Sequence, residues 1–172
     1  MEIGAKYYKF NMDLPIVEIN LTEFDNDKLA EIILSKGDVQ NKKTNVKANM
    51  TDWRLDLQSK EVSDLAWKAI EYANNIRQSY SKVIFKTRSC WGAVYGKDDY
   101  TVSHAHWPCL YSWCYYVKVP EGSSPLVFDD AKLMFEPKEG DLIIFSSLVQ
   151  HSVPKSKCEE QRIMIAGNIV CQ

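Results

Sequence analysis

Residues 104–116 read HAHWPCLYSWCYY, and the fold turns on how this stretch is arranged. From Tyr111 onward it is dominated by Tyr and Trp, which suit a pleated, half-buried surface, and Pro108 in WPC marks a turn before that run. On a strand, successive side chains point to opposite faces. Ser112, Cys114 and Tyr116 therefore share one face, and Tyr111, Trp113, Tyr115 and Val117 share the other. The same rule sets His104 and His106, at i and i+2, on one face of an extended segment before the turn. The third and last histidine, His151, follows the apolar run GDLIIFSSLVQ and precedes a proline-bearing turn. All three histidines are therefore candidate metal ligands.

Working outward, period-2 alternation and short apolar runs continue from Val83 to the C-terminus. They predict strands near 83–95, 100–107, 111–119, 125–128, 132–135, 141–146 and 161–170, divided by turn signals at GKDD, WPC, PEGSSP, EPKEG and PKSKCEE. Several short strands without an intervening helix predict an antiparallel double-sheet roll or barrel. Upstream, LPIVEINLTEF alternates and reads as an edge strand, with Pro15 at its start. DNDKLAEIILSKGD predicts a short helix capped by Asp25 or Asp27, with Leu29, Ile32 and Ile33 inward and Gly37 as its stop. The segment 38–51, with Lys42, Lys43 and Lys47, reads as a solvated loop, or as a flap over a site that attracts anions. SKEVSDLAWKAIEYANNIRQSY predicts the longest helix, with Val62, Leu65, Ala66, Ala69, Tyr72, Ala73 and Ile76 on one face and Trp67 packed on a sheet.

A chain of 172 residues without a linker-like composition shift is expected to form one domain, with helical support over 1–82 and a β core over 83–172. A net charge of -2 gives no electrostatic footprint for nucleic acid or a membrane surface, and favours a small molecule, peptide or protein as substrate. No signal peptide and no membrane-spanning run is evident, so the expected location is the cytoplasm. Five cysteines, an odd number, fit free thiols in a reducing compartment. Cys109 and Cys114 beside His104 and His106 also permit a zinc knuckle, although the strand-like segment lacks the tight, turn-held spacing of such sites.

One cation falls in apolar surroundings. On strand 161–170, Arg162 shares a face with Met164, Ala166 and Asn168, while Ile163, Ile165 and Ile169 form the face expected to meet the helices. A guanidinium inside the roll needs an anionic partner, either an internal Asp or Glu or the carboxylate of a ligand. Tyr116, on the polar face of its strand, and Tyr95, at the end of the strand before the histidines, are candidate phenols lining the same cavity.

Taken together, these pieces resemble the 2-oxoglutarate- and Fe(II)-dependent oxygenases: a strand-borne His-x-His where that family carries His-x-(Asp/Glu), a Tyr-Tyr strand about ten residues on, PKEGDLIIF leading to a distal histidine, and an arginine eleven residues later. The similarity is to the prolyl-4-hydroxylase-like branch, and within it to small 2-oxoglutarate/Fe(II) oxygenases of marine bacteria and tailed phages with a YYVKVP-like strand and a GDLIIF…HSV segment. It covers roughly residues 83–172. The resemblance implies a mainly β double-stranded β-helix (jelly roll) buttressed by two helices. It also implies Fe(II), 2-oxoglutarate and O2 as cofactors, and hydroxylation of a C–H bond with release of succinate and CO2. Residue by residue, it assigns His104 and His151 to the metal, Arg162 and Tyr116 to the distal carboxylate of 2-oxoglutarate, and Tyr95 more loosely to the same group.

Two departures stand out. His106 replaces the usual carboxylate: either it is a third ligand, and the set of His104, His106 and His151 carries one more unit of positive charge that the dianionic cosubstrate would have to offset, or it only hydrogen-bonds nearby and leaves a metal position open for water or halide. Met164 stands where many relatives have serine, which puts more of the carboxylate's hydrogen bonding on Tyr116. Two other readings remain open on the sequence: a cosubstrate-free three-histidine dioxygenase of the cupin type, and a non-catalytic metal-binding jelly roll.

Overall fold

Alternation along the strands sorts the side chains into two separate cores, and the sheets follow from that division. The computed structural model describes residues 6, 8, 13–36, 44–76 and 83–172. In chain order the elements are β1 (Ile16–Asn20), α1 (Asn26–Lys36), β2 (Val46–Lys47), β3 (Asn49–Met50), a 3-10 turn (Leu55–Leu57), and α2 (Lys60–Ile76). After these come β4 (Phe85–Tyr95), β5 (Tyr100–His104), β6 (Tyr111–Lys118), β7 (Leu126–Phe128), β8 (Leu133–Phe135), β9 (Asp141–Ser146), β10 (His151–Val153) and β11 (Arg162–Cys171). One sheet has the order β1-β9-β6-β11-β4-β3 and the other β2-β5-β10-β7-β8, with antiparallel pairing between neighbouring strands. This is a mainly β double-stranded β-helix, or jelly roll, with two helices on one sheet.

The outer face of the larger sheet meets the helices. Trp113, Tyr115 and Val117 of β6 and Ile163, Ile165 and Ile169 of β11 pack there with Leu29, Ala30 and Ile33 of α1 and Val62, Leu65, Ala66, Ala69, Ile70 and Ala73 of α2. Between the sheets, Cys114 and Tyr116 of β6 and Met164 and Ala166 of β11 join Phe128, Phe145 and Val153 in a second core. Every face assigned from period-2 alternation on β6 and β11 is the face observed. Two glycines permit close approach: a Cβ at Gly167 would lie 2.6 Å from the Trp113 ring, and one at Gly92 would lie 2.8 Å from Ile33 of α1.

Local signals account for the helix starts. The Asp25 carboxylate accepts the Lys28 N–H at 3.0 Å, which makes Asp25 the N-cap of α1. At α2 the Ser59 hydroxyl accepts the Val62 N–H at 3.4 Å. Gly37, Lys42 and Lys43 lie outside the described residues.

Four expectations need correction. Part of the 38–51 segment is strand: Val46–Lys47 pairs with β5 and Asn49–Met50 with β4, each over two residues, which is too short for a periodic signal. The strand expected over 100–107 stops at His104, because the chain enters the turn held by the Cys109 N–H to His106 carbonyl bond of 2.8 Å. The three-residue strand β10, which carries His151, was not foreseen. Trp67 is 65 % exposed, since Leu65, Ala66, Ala69 and Ile70 already fill the seam of α2, and its indole sits at the rim of a surface groove with Leu57 and Arg88. Among the described residues, no helix is long and apolar enough to cross a membrane.

Candidate metal centre

Antiparallel register brings the first two ligand candidates together. His104 at the end of β5 is directly opposite His151 at the start of β10, so the two side chains are cross-strand neighbours on one face. Their ring centroids are 4.5 Å apart. His106 reaches the same place by another route. It lies beyond the strand, in a loop anchored by its own N–H to the Ser147 carbonyl at 2.8 Å, and its ring centroid is 4.6 Å from that of His104 and 5.0 Å from that of His151. The ligand nitrogens of the three rings all lie within 4.8 Å of one another.

The proton positions follow from the partners. Nδ1 of His104 is 2.8 Å from the Val102 carbonyl and Nδ1 of His151 is 3.1 Å from the Val149 carbonyl. A carbonyl only accepts, so each Nδ1 carries the proton and each Nε2 keeps a lone pair free for a metal. Burial disfavours the charged form of all three rings. It pushes His106 down to about 3, helped by the neighbouring His151 and His104, and His151 down to about 4, helped by His104, while His104 is lowered as well. At neutral pH the cluster is three uncharged imidazoles.

Asp129 was not found from the sequence. It follows β7 and accepts hydrogen bonds from Ser103 at 2.7 Å and Ser152 at 2.9 Å, the residues next to His104 and His151 on their respective strands. Being one residue out of phase with the histidines, these serines face the other side of the sheet, and both Asp129 oxygens are occupied there. Asp129 therefore ties the two histidine-bearing strands together and lies outside the metal-competent group. Serines flanking both histidines were the only hint of it.

One cavity runs from the three histidines to Tyr95, Tyr116 and Met164. Just behind it is Arg162, 3 % exposed, opposite Tyr95 in the β11–β4 register. Its guanidinium lies 4.3 Å from the Tyr95 ring centroid and 5.8 Å from that of Tyr116, and its Nη1 donates to the Ser124 carbonyl at 2.5 Å. Nε and Nη2 are buried and have no partner among the described residues. Among the described residues no carboxylate pairs with Arg162, so the internal ion pair open on the sequence is not formed. Burial raises both phenols above the ordinary tyrosine range, which keeps them protonated and able to donate. Tyr95 spends its hydroxyl on Thr101, at 2.7 Å, and supports Arg162 with its ring face.

Cys109 and Cys114 do not join the histidines as ligands: the metal-competent group among the described residues is His104, His106 and His151 alone. On the aromatic side, Trp91 lies 6.3 Å from His106 and packs edge-on against the half-exposed Trp53 at 4.9 Å.

Neither a protein-family model nor a curated protein matches the chain. Solved structures do. The viral collagen prolyl hydroxylase of Paramecium bursaria Chlorella virus-1, in its 2-oxoglutarate complex, superposes with a TM-score of 0.71 at 18 % identity, over 90 % of this chain and 94 % of that one. A Pseudomonas putida prolyl-4-hydroxylase superposes with a TM-score of 0.69 at 16 % identity, over 91 % and 92 %. HygX from Streptomyces hygroscopicus, with nickel and 2-oxoglutarate bound, gives 0.68 at 11 % identity, over 90 % and 82 %. The chain therefore has the double-stranded β-helix fold of the 2-oxoglutarate- and Fe(II)-dependent oxygenases.

Proposed function

We propose that the protein is an Fe(II)- and 2-oxoglutarate-dependent dioxygenase that hydroxylates a C–H bond of a small molecule or of a peptide or protein side chain, releasing succinate and CO2. The observation that carries this reading is a pair of unmet demands in one roll: three neutral imidazoles converging on one point, and a buried arginine with two nitrogens, Nε and Nη2, lacking acceptors among the described residues. Nitrogen donors suit a divalent first-row ion, and the free guanidinium edge suits a planar carboxylate. A cosubstrate-free reading leaves that edge of Arg162 without an explanation.

On this reading His104, His106 and His151 hold the metal through nitrogen. Arg162 and Tyr116 receive the distal carboxylate of 2-oxoglutarate, with Tyr95 supporting the guanidinium from below. The bound metal and 2-oxo acid supply the oxidative chemistry, which protein side chains cannot. The chain's contribution is positional. The carbonyl-held Nδ1 protons fix the ring orientations, Tyr116 donates one hydrogen bond, and the apolar wall of Phe145 and Met164 excludes water. Five free cysteines support a reducing compartment such as the cytoplasm.

The test is anaerobic reconstitution with Fe(II) followed by addition of 2-oxoglutarate and O2. Metal-dependent formation of succinate, abolished by chelation, is expected. Absence of both 2-oxoglutarate binding and turnover in the metal-loaded protein overturns the proposal.

A further inference from the structure

We infer that His106, by leaving the metal's charge uncompensated, makes metal retention conditional on the dianionic 2-oxo acid that Arg162 would receive; this rests on the dioxygenase reading above. Charge balance is what decides it. A divalent ion held by three neutral imidazoles keeps its full two positive charges inside a largely buried cavity. Arg162 adds a third, also buried, with no carboxylate partner among the described residues. Asp129 acts on His104 and His151 from across the sheet, but its oxygens accept from Ser103 and Ser152, and among the described residues it supplies no ligand atom to the histidine cluster.

Buried charge without compensation is expensive, so metal alone is disfavoured here relative to a site that supplies its own carboxylate. A 2-oxo acid with two carboxylates meets both demands, one end at the metal and the other at the free N–H groups of Arg162. A monoanionic 2-oxo acid leaves the arginine unmet. Each partner therefore stabilises the binding of the other, and by linkage the effect is reciprocal. A carboxylate in place of the His106 imidazole would neutralise one charge in advance and weaken that dependence.

The experiment is titration of the stripped protein with Mn(II), followed by the EPR signal of the free ion, alone and with saturating 2-oxoglutarate or pyruvate. In the native protein 2-oxoglutarate is expected to lower the Mn(II) Kd by about a hundredfold, towards the upper end of ordinary coupling, and pyruvate by a few-fold at most. His106→Asp is expected to bind Mn(II) more tightly by itself and to show a 2-oxoglutarate effect of about tenfold or less. His106→Gln, neutral like the native residue, is expected to bind Mn(II) more weakly yet keep the large effect; circular dichroism confirms that each variant is folded. Equal coupling in the native protein and the His106→Asp variant, or loss of coupling in both variants alike, overturns the inference while leaving the dioxygenase reading intact. No binding of 2-oxoglutarate to any metal-loaded form removes both.

Discussion

Replacing Arg162 by methionine should make the metal-free protein more stable and less able to bind 2-oxoglutarate, two effects of opposite sign from one side chain. The native guanidinium makes one charge-assisted bond to Ser124 and stacks on Tyr95. Losing these costs about 1.5–3 kcal/mol for the bond and about 1–2 kcal/mol for the ring contact. Against this, Nε and Nη2 are buried without acceptors among the described residues, each carrying a penalty of about 1–3 kcal/mol, and the charge itself costs several kcal/mol to desolvate. Methionine fills similar volume beside Met164 without either penalty. The variant should be about 0–4 kcal/mol more stable in urea unfolding, by analogy with buried ion groups replaced by apolar residues. Calorimetric titration of the Mn(II)-loaded protein should show 2-oxoglutarate binding weakened by about a hundredfold or more, from the loss of two bonds of about 1.5–3 kcal/mol each. Destabilisation of the metal-free variant by more than about 2 kcal/mol would mean that the guanidinium is already satisfied, and would refute this account of Arg162.

Acid should unfold the metal-free protein early. The folded-state values of all three histidines lie below the unfolded value, so the unfolded chain binds more protons, and the stability present above about pH 6.5 is lost as pH falls. For His106, at about 3, and His151, at about 4, each contributes about 2 kcal/mol of that loss by pH 5, and a flat urea midpoint from about pH 7.5 to 5 would show solvated rings instead. Gly167→Ala forces a methyl to within 2.6 Å of the buried Trp113 ring and should cost about 2–3 kcal/mol in chemical denaturation. Asp129→Ala releases Ser103 and Ser152, and should weaken Mn(II) binding with 2-oxoglutarate present by about tenfold while leaving the circular dichroism spectrum unchanged.

What could be read from the chain was whatever alternation controls. On β6 and β11 each face was legible because one side must meet helices and the other must meet a second sheet. That constraint places Arg162 and Tyr116 inside the roll from sequence alone. His106 shows where the same logic stops. Its convergence with His104 was anticipated from strand phase, yet β5 ends at His104 and His106 is brought in by a loop whose N–H is held by Ser147. The position was right and the mechanism was not. Asp129, β2, β3 and β10 were illegible for a common reason: each depends on pairings between distant segments, over runs too short to leave a period. Trp67 misled because an aromatic residue on a helix was given a packing role that neighbouring small and branched residues had already filled.

The two cores divide the demands of stability and chemistry. The helix-facing core is built from Leu, Ile, Val, Ala and aromatic side chains along an uninterrupted seam, and burial of such surface contributes about 25 cal/mol per Å2. The inner side of the roll has to tolerate three buried neutral imidazoles and an arginine with unfilled donors among the described residues, features that would be poor choices for a core serving stability alone. Because successive residues of β11 face opposite ways, one strand serves both sides: Ile163 and Ile165 anchor the helices while Arg162 and Met164 line or back the cavity. A charge placed on the isoleucine side is expected to strike at folding, whereas one removed from the arginine side is expected, on the proposed reading, to strike at binding. The unpaired donors of Arg162 can therefore be carried without the fold giving way, since they and the isoleucines that anchor the helices alternate along the same strand and pack on opposite sides of the sheet.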